Sequence, residues 1–173
     1  MWDKIEAINV FDETKNHRYY LYRKWQDNKP KATIVMNNPA RLNPNPFRLG
    51  STLTKIFEFI EEDYGIMEVV NLYPMVSAKK NEIKKERYFD KKNFTFIKDA
   101  VTNADTVILF WGKDSVTSKN KDFISLLSEN SDKLKCFRLT KSGQPDYILS
   151  LTKEVHRLQK CFINNRGKFE INE

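Results

Sequence analysis

The stretch from Thr33 to Thr52, TIVMNNPARLNPNPFRLGST, restricts the fold of this chain more than any other. Ile34, Val35 and Met36 are an apolar run that suits a strand and is too short for a helix. Pro39, Pro44 and Pro46 forbid a helix directly afterwards, because proline lacks an amide proton and clashes with the preceding turn. Helical spacing resumes only after Ser51 or Thr52, either of which suits an N-cap. Leu53, Ile56, Phe57 and Ile60 then recur on one face, with Glu58, Glu61 and Glu62 on the other. Asn37, Asn38 and Arg41 therefore leave a strand at its C-terminal end, where open α/β sheets place their ligands.

Upstream, Arg18 to Trp25 (RYYLYRKW) alternates, with Tyr20 and Tyr22 set against Tyr19, Leu21 and Arg23. That period predicts a half-buried strand at a sheet edge. Residues 1–17 read as a lead-in with a short apolar edge at Ile5, Ile8 and Phe11, and Asp27 to Pro30 as a turn. Downstream, Gly65 is the expected stop of the first helix. Met67–Leu72 is a third strand running into Tyr73 and Pro74, and a helix around Phe94, Ile97 and Val101 ends near Asn103.

Asp105–Trp111 (DTVILFW) is a continuous β-branched and aromatic run, the pattern of a buried central strand. Trp111 is expected inside, and Gly112 is expected to let backbone approach a ligand. A helix from about Ser115 to Glu129 follows, then a last core strand, Leu134–Leu139, ending at Thr140 to Gly143. The tail Cys161–Ile171 reads either as a hairpin around Asn165, Arg166 and Gly167 or as a disordered end. Strands alternating with helices predict a single α/β domain over residues 1–173, its core at about 18–149. The expected fold is a three-layer α/β/α sandwich with a mostly parallel central sheet.

A length of 173 residues is enough for one domain with a proper core. With 12 Phe, 7 Tyr and 3 Trp, disorder is not expected even at 31% charged residues. The net charge of +7 gives a basic surface that suits a polyanion partner. The Lys79–Lys92 run reads as a solvated surface or as a phosphate-facing flap. Cys136 and Cys161 are too few and too far apart for a disulfide framework, and are expected as reduced core thiols of a cytoplasmic protein. No signal peptide and no membrane-spanning stretch are read. Neither GxGxxG nor GxxxxGK[ST] occurs, and no His, Cys or carboxylate spacing suggests a metal, so no cofactor and no metal are expected. His17 and His156 fall outside the strand ends and read as surface residues.

Parallel strands would gather Asn37 and Asn38, Asn71 and Tyr73, Trp111 to Lys113, and Thr140 to Gly143 on one rim. An asparagine amide offers a donor and an acceptor together, which matches a base edge or orients a water. Asn38 is the candidate catalytic residue, positioning water, and Asn71 the candidate base reader. Tyr73 or Phe47 would stack on the ligand, while Arg41, Arg48 and Lys113 would hold phosphates. Asn37, Trp111 and Lys141 complete the ligand-binding set. The alternative for Asn37 and Asn38 is ordinary loop bonding, common for asparagine at turns.

Arg18-Tyr19-x-Leu21-x-Arg23-x-Trp25, Asn38-Pro39, Val70-Asn71-Leu72-Tyr73, Trp111-Gly112 and Lys141-x-Gly143-x-Pro145 resemble the family called domain of unknown function 1643. That likeness covers about residues 18–149 and brings no settled activity. More remotely, Met36-Asn37-Asn38-Pro39-Ala40 resembles the first motif of the uracil-DNA glycosylase superfamily. Val69-Val70-Asn71-Leu72 resembles that superfamily's second strand, and Ile108-Leu109-Phe110-Trp111-Gly112 its Leu-Leu-Trp-Gly strand. The likeness implies a glycosylase-like fold and a nucleobase or nucleic-acid ligand, with DNA or a nucleotide as partner and base excision as the activity. Those enzymes usually end in a His-Pro-Ser-type loop, whereas Ser142 to Tyr147 here contains no histidine. The alternative is therefore a non-catalytic module of the same fold, binding nucleic acid, a nucleotide or a protein.

Overall fold

The computed structural model describes residues 4–40, 45, 48–76, 89–113 and 116–172. Eight strands form one sheet: β1 (Glu6–Phe11), β2 (Arg18–Lys24), β3 (Lys31–Met36), β4 (Ile66–Asn71), β5 (Thr106–Phe110), β6 (Leu134–Cys136), β7 (Gln159–Ile163) and β8 (Phe169–Ile171). The described residues also form three α-helices, α1 (Ser51–Ile60), α2 (Lys91–Thr102) and α3 (Lys121–Glu129). The strand order is β1-β2-β4-β3-β5-β6-β7-β8.

The mostly parallel, glycosylase-like α/β/α sandwich expected from the sequence does not form. Four of the seven pairings are antiparallel (β1 with β2, β2 with β4, β6 with β7, β7 with β8), leaving three parallel ones. The misreading lies at the two ends of the chain. The supposed lead-in is β1, which covers β2, so Arg18–Lys24 is not the sheet edge. The tail does form a hairpin, and β7 extends the sheet antiparallel to β6.

The parallel pairings stand in the middle of the sheet, where β3 lies between β4 and β5. From β3 the chain steps one way through α1 to β4, then crosses back through α2 to β5. Parallel connections keep one hand, so reversing direction puts the helices on opposite faces. Two buried clusters record this. Leu53, Ile56 and Ile60 of α1 pack with Ile34, Val69 and Ile108. Ile97 and Val101 of α2, with Phe123 and Leu127 of α3, pack on Val35, Val70 and Leu109 on the other side. The strand order reverses beside β3, and open α/β sheets place their ligands at such a switch point, outside the strands' carboxyl ends.

Local rules explain the element ends. Asp90 caps α2 by accepting from the Asn93 amide at 2.9 Å, and Asn120 caps α3 by accepting from Asp122 at 2.8 Å. The expected caps of α1 are not used: Gly50 is the N-cap, and no side chain bonds there. The Thr52 hydroxyl instead meets the Tyr147 hydroxyl at 2.8 Å. Helix α1 ends at Ile60, before Gly65, and α3 starts at Lys121, later than the expected Ser115, which lies outside the described residues. No helix among the described residues is long and apolar enough to cross a membrane.

Candidate ligand-binding site

The apolar run of β4 ends on Asn71, whose backbone is tied down from several directions. Its carbonyl accepts from Asn93 Nδ2 at 2.8 Å, and the next amide, Leu72 N, donates to Met36 O at 2.8 Å. Leu72 O accepts from the Thr117 hydroxyl at 2.9 Å, and Tyr73 N donates to Asn37 O at 2.9 Å. The side chain is treated differently. Asn71 is 0% exposed, and neither Oδ1 nor Nδ2 has a hydrogen-bond partner among the described residues. Asn71 lies opposite Met36 and two residues beyond Val69, so it shares the sheet face covered by α1.

The other expected site residues divide by how they are held. Asn37 and Asn38 are half-buried just past β3, with Asn37 Nδ2 donating to Asn38 Oδ1 at 3.2 Å. Asn38 Nδ2 donates to Pro39 O at 3.4 Å. Tyr73 is buried in the cluster under α2 and α3, and its hydroxyl accepts from Val116 N at 3.1 Å. Trp111 is buried as expected at the end of β5, wedged edge-on between Phe123 and Phe169, with Nε1 donating to Gln144 Oε1 at 2.9 Å. Arg48, Lys113 and Lys141 are exposed. Arg41 and Phe47 lie outside the described residues, as does Lys79 to Tyr88 of the basic run.

The strand ends do reach one rim, because β3, β4, β5 and β6 run parallel. Gly112 plays a part other than the expected one. Its amide donates to Pro145 O at 2.8 Å, and Tyr147 lies where a Cβ would point. That glycine therefore admits the 140–147 loop of the chain itself.

Three polar residues that the sequence reading did not place in the site lie on the same face as Asn71. Asn9 is opposite Leu21, which is opposite Val69, so all three project to the α1 side. Arg23, two residues on from Leu21, joins them. Arg18 would project to the other face by simple alternation. However, β1 pairs Val10 with Tyr20 and then Phe11 with Arg18, so Tyr19 is an extra, bulged residue. Arg18, opposite Phe11, thereby returns to the face of Asn9 and Arg23. Tyr19 turns to the other side and stacks on Phe96 of α2 at 5.3 Å. The available signal was two arginines in a strand with three tyrosines, and an odd spacing of five concealed their common face.

A cavity of about 690 Å³ lies at the opposite end of the parallel strands, lined by Pro30, Thr106, Lys135 and His156 among others. It includes none of the rim residues. The described residues contain no cluster of three metal-ligating side chains.

The family model described as a protein of unknown function (DUF1643) matches residues 18–147. No curated protein and no solved structure matches the chain. The glycosylase likeness therefore stands without support from any relative. The matched segment opens at Arg18 and runs through Asn71 to Tyr147. The chain belongs to the DUF1643 family of proteins of unknown function.

Proposed function

We propose that the strand-end rim binds a nucleobase-containing ligand whose edge is read by the Asn71 amide, without breaking a bond in it. The observation that carries this reading is the Asn71 carboxamide, 0% exposed and unpartnered at both polar atoms on a backbone fixed all round. A buried polar group left unpaired costs about 1–3 kcal/mol. A ligand presenting an acceptor beside a donor would recover that cost, and base edges present this pair. Binding is favoured over base excision because Asn37 and Asn38 bond within their own loop and the 142–147 loop carries no histidine.

The test is calorimetric titration of the full chain with free bases, nucleosides, mononucleotides and short oligonucleotides, beside an assay for released base. At least one base class should bind, and Asn71→Leu should weaken it tenfold or more, as expected for about 1–3 kcal/mol of edge bonding. The same variant should melt no lower than wild type, since it removes only unpaired groups. Wild type that binds none of the panel, or Asn71→Leu that binds as wild type does, would overturn the reading. Release of base by wild type would make the rim a catalytic site instead.

A further inference from the structure

The nucleobase reading leaves unexplained a second set of buried polar atoms. Among the described residues, seven buried side-chain nitrogen or oxygen atoms have no hydrogen-bond partner. Six of them belong to Asn9, Arg18, Arg23 and Asn71, four polar residues on the α1 face. Native proteins pair nearly all such atoms, so a concentration on one face points to something that completes them.

Arg18 is the extreme case. It is 2% exposed, and both Nε and Nη1 are open donors. Its main-chain amide donates to Pro74 O at 2.8 Å, which fixes it beside the end of β4, at the same rim as Asn71. Among the described residues, no carboxylate is paired with it. Burial, with a further push from Arg23, brings the guanidinium down to about 10. Arg23 is 7% exposed and partly satisfied, its Nη1 donating to Ile8 O at 3.2 Å and Tyr22 O at 2.7 Å, while its Nε stays open. Two buried guanidiniums on one face, with no counter-carboxylate among the described residues, call for a compact anion of matching charge. A phosphate monoester fits, carrying close to two charges at neutral pH and offering oxygens to a planar fork.

We propose that Arg18, with Arg23 further along the same sheet face, forms a phosphate subsite of the rim, and that the ligand is a nucleoside monophosphate whose base meets Asn71. The phosphate subsite stands on the arginines alone; the identity of the rest of the ligand rests on the nucleobase reading. The bulge at Tyr19 is what builds the subsite, because without it Arg18 would face α2.

The experiment is calorimetry and thermal melting of the full chain, dialysed free of phosphate, as wild type, Arg18→Met, Arg18→Lys and Asn71→Leu. Nucleoside monophosphates should bind wild type at least tenfold tighter than the matching nucleosides. Arg18→Met should erase that advantage, and Arg18→Lys, which keeps the charge without the fork, should retain only part of it. Inorganic phosphate alone should raise the melting temperature of wild type and of Asn71→Leu, and leave Arg18→Met unchanged. Equal binding of nucleoside and monophosphate by wild type, or an undiminished advantage in Arg18→Met, would overturn the proposal. So would a wild type whose melting is indifferent to inorganic phosphate. A phosphate response without any nucleoside binding would remove the base reading and leave the phosphate subsite standing. If Arg18→Met does not fold, Arg18→Lys and the phosphate response of wild type decide the matter.

Discussion

A guanidinium without a counter-charge, buried as Arg18 is, costs free energy in the unliganded protein. Even replacing a buried ion pair by apolar side chains of similar volume is often neutral or stabilising by about 1–4 kcal/mol. Arg18 has no ion pair among the described residues to lose. Arg18→Met should accordingly melt at or above the temperature of wild type in phosphate-free buffer, by differential scanning calorimetry. Gly112 makes the opposite case. Its φ of +82° lies in the left-handed region, and a Cβ there would stand 2.9 Å from Tyr147 Cβ. Gly112→Ala should lose about 1–2 kcal/mol from the backbone alone, read as a lower midpoint in urea, and more if Tyr147 is displaced. Gly65 is constrained differently. It is not in the left-handed region, but a Cβ would stand 2.2 Å from the Gln26 carbonyl oxygen. The chain keeps a glycine there so that Gly65 O can accept the Trp25 and Gln26 amides at 3.0 and 3.2 Å. From sequence alone that glycine reads as a helix stop, because a close approach of distant backbone leaves no local signature.

At the level of elements, β4 carries one buried carboxylate on its α2 face. Glu68 accepts from the Tyr20 hydroxyl at 2.6 Å and from the Thr33 hydroxyl at 2.9 Å, with Lys31 Nζ at 3.4 Å. These bonds join β2, β3 and β4 across the sheet. Burial, followed by the bond to Glu68, drives the Tyr20 hydroxyl far above its ordinary range, so it stays protonated and donating. Glu68→Ala should cost about 1–3 kcal/mol, because Tyr20 and Thr33 would lose their acceptor. Chemical denaturation would read that loss. β3, β4 and β5 were legible because IVM, VV and VILF are apolar runs that fit only buried strands. β1 was not, since EAINVF is largely exposed or half-buried and carries no strict alternation. The shared face of Arg18 and Arg23 was hidden for a related reason: alternation counts residues, and a bulge adds one that only the partner strand reveals.

For the molecule as a whole, two hairpin-like additions turn a parallel centre into a mixed sheet without disturbing the rim. The rim was therefore legible even though the fold class was not, because it depends only on the order and direction of the four middle strands. The place of Asn71 was legible too, as a polar residue closing an apolar strand. Its isolation was not, since orphaned amides appear only once neighbours are in place. The net charge of +7 separates two kinds of partner. An oligonucleotide held by surface lysines should weaken by about 0.7 log units per log unit of salt for each single-strand phosphate contact. A mononucleotide seated on buried Arg18 should show a much shallower salt dependence, because buried charges are little screened. Titrations at several salt concentrations would distinguish them.

The most direct measurement of the account is the side-chain amide of Asn71 itself, followed by 1H–15N NMR and assigned by its disappearance in Asn71→Leu. On saturation with a nucleoside monophosphate, its two proton resonances should move apart and downfield as they gain an acceptor, and exchange more slowly with water. Asn71 resonances that stay where they are in the free protein, at a ligand concentration that saturates binding, would contradict a rim built to read a base.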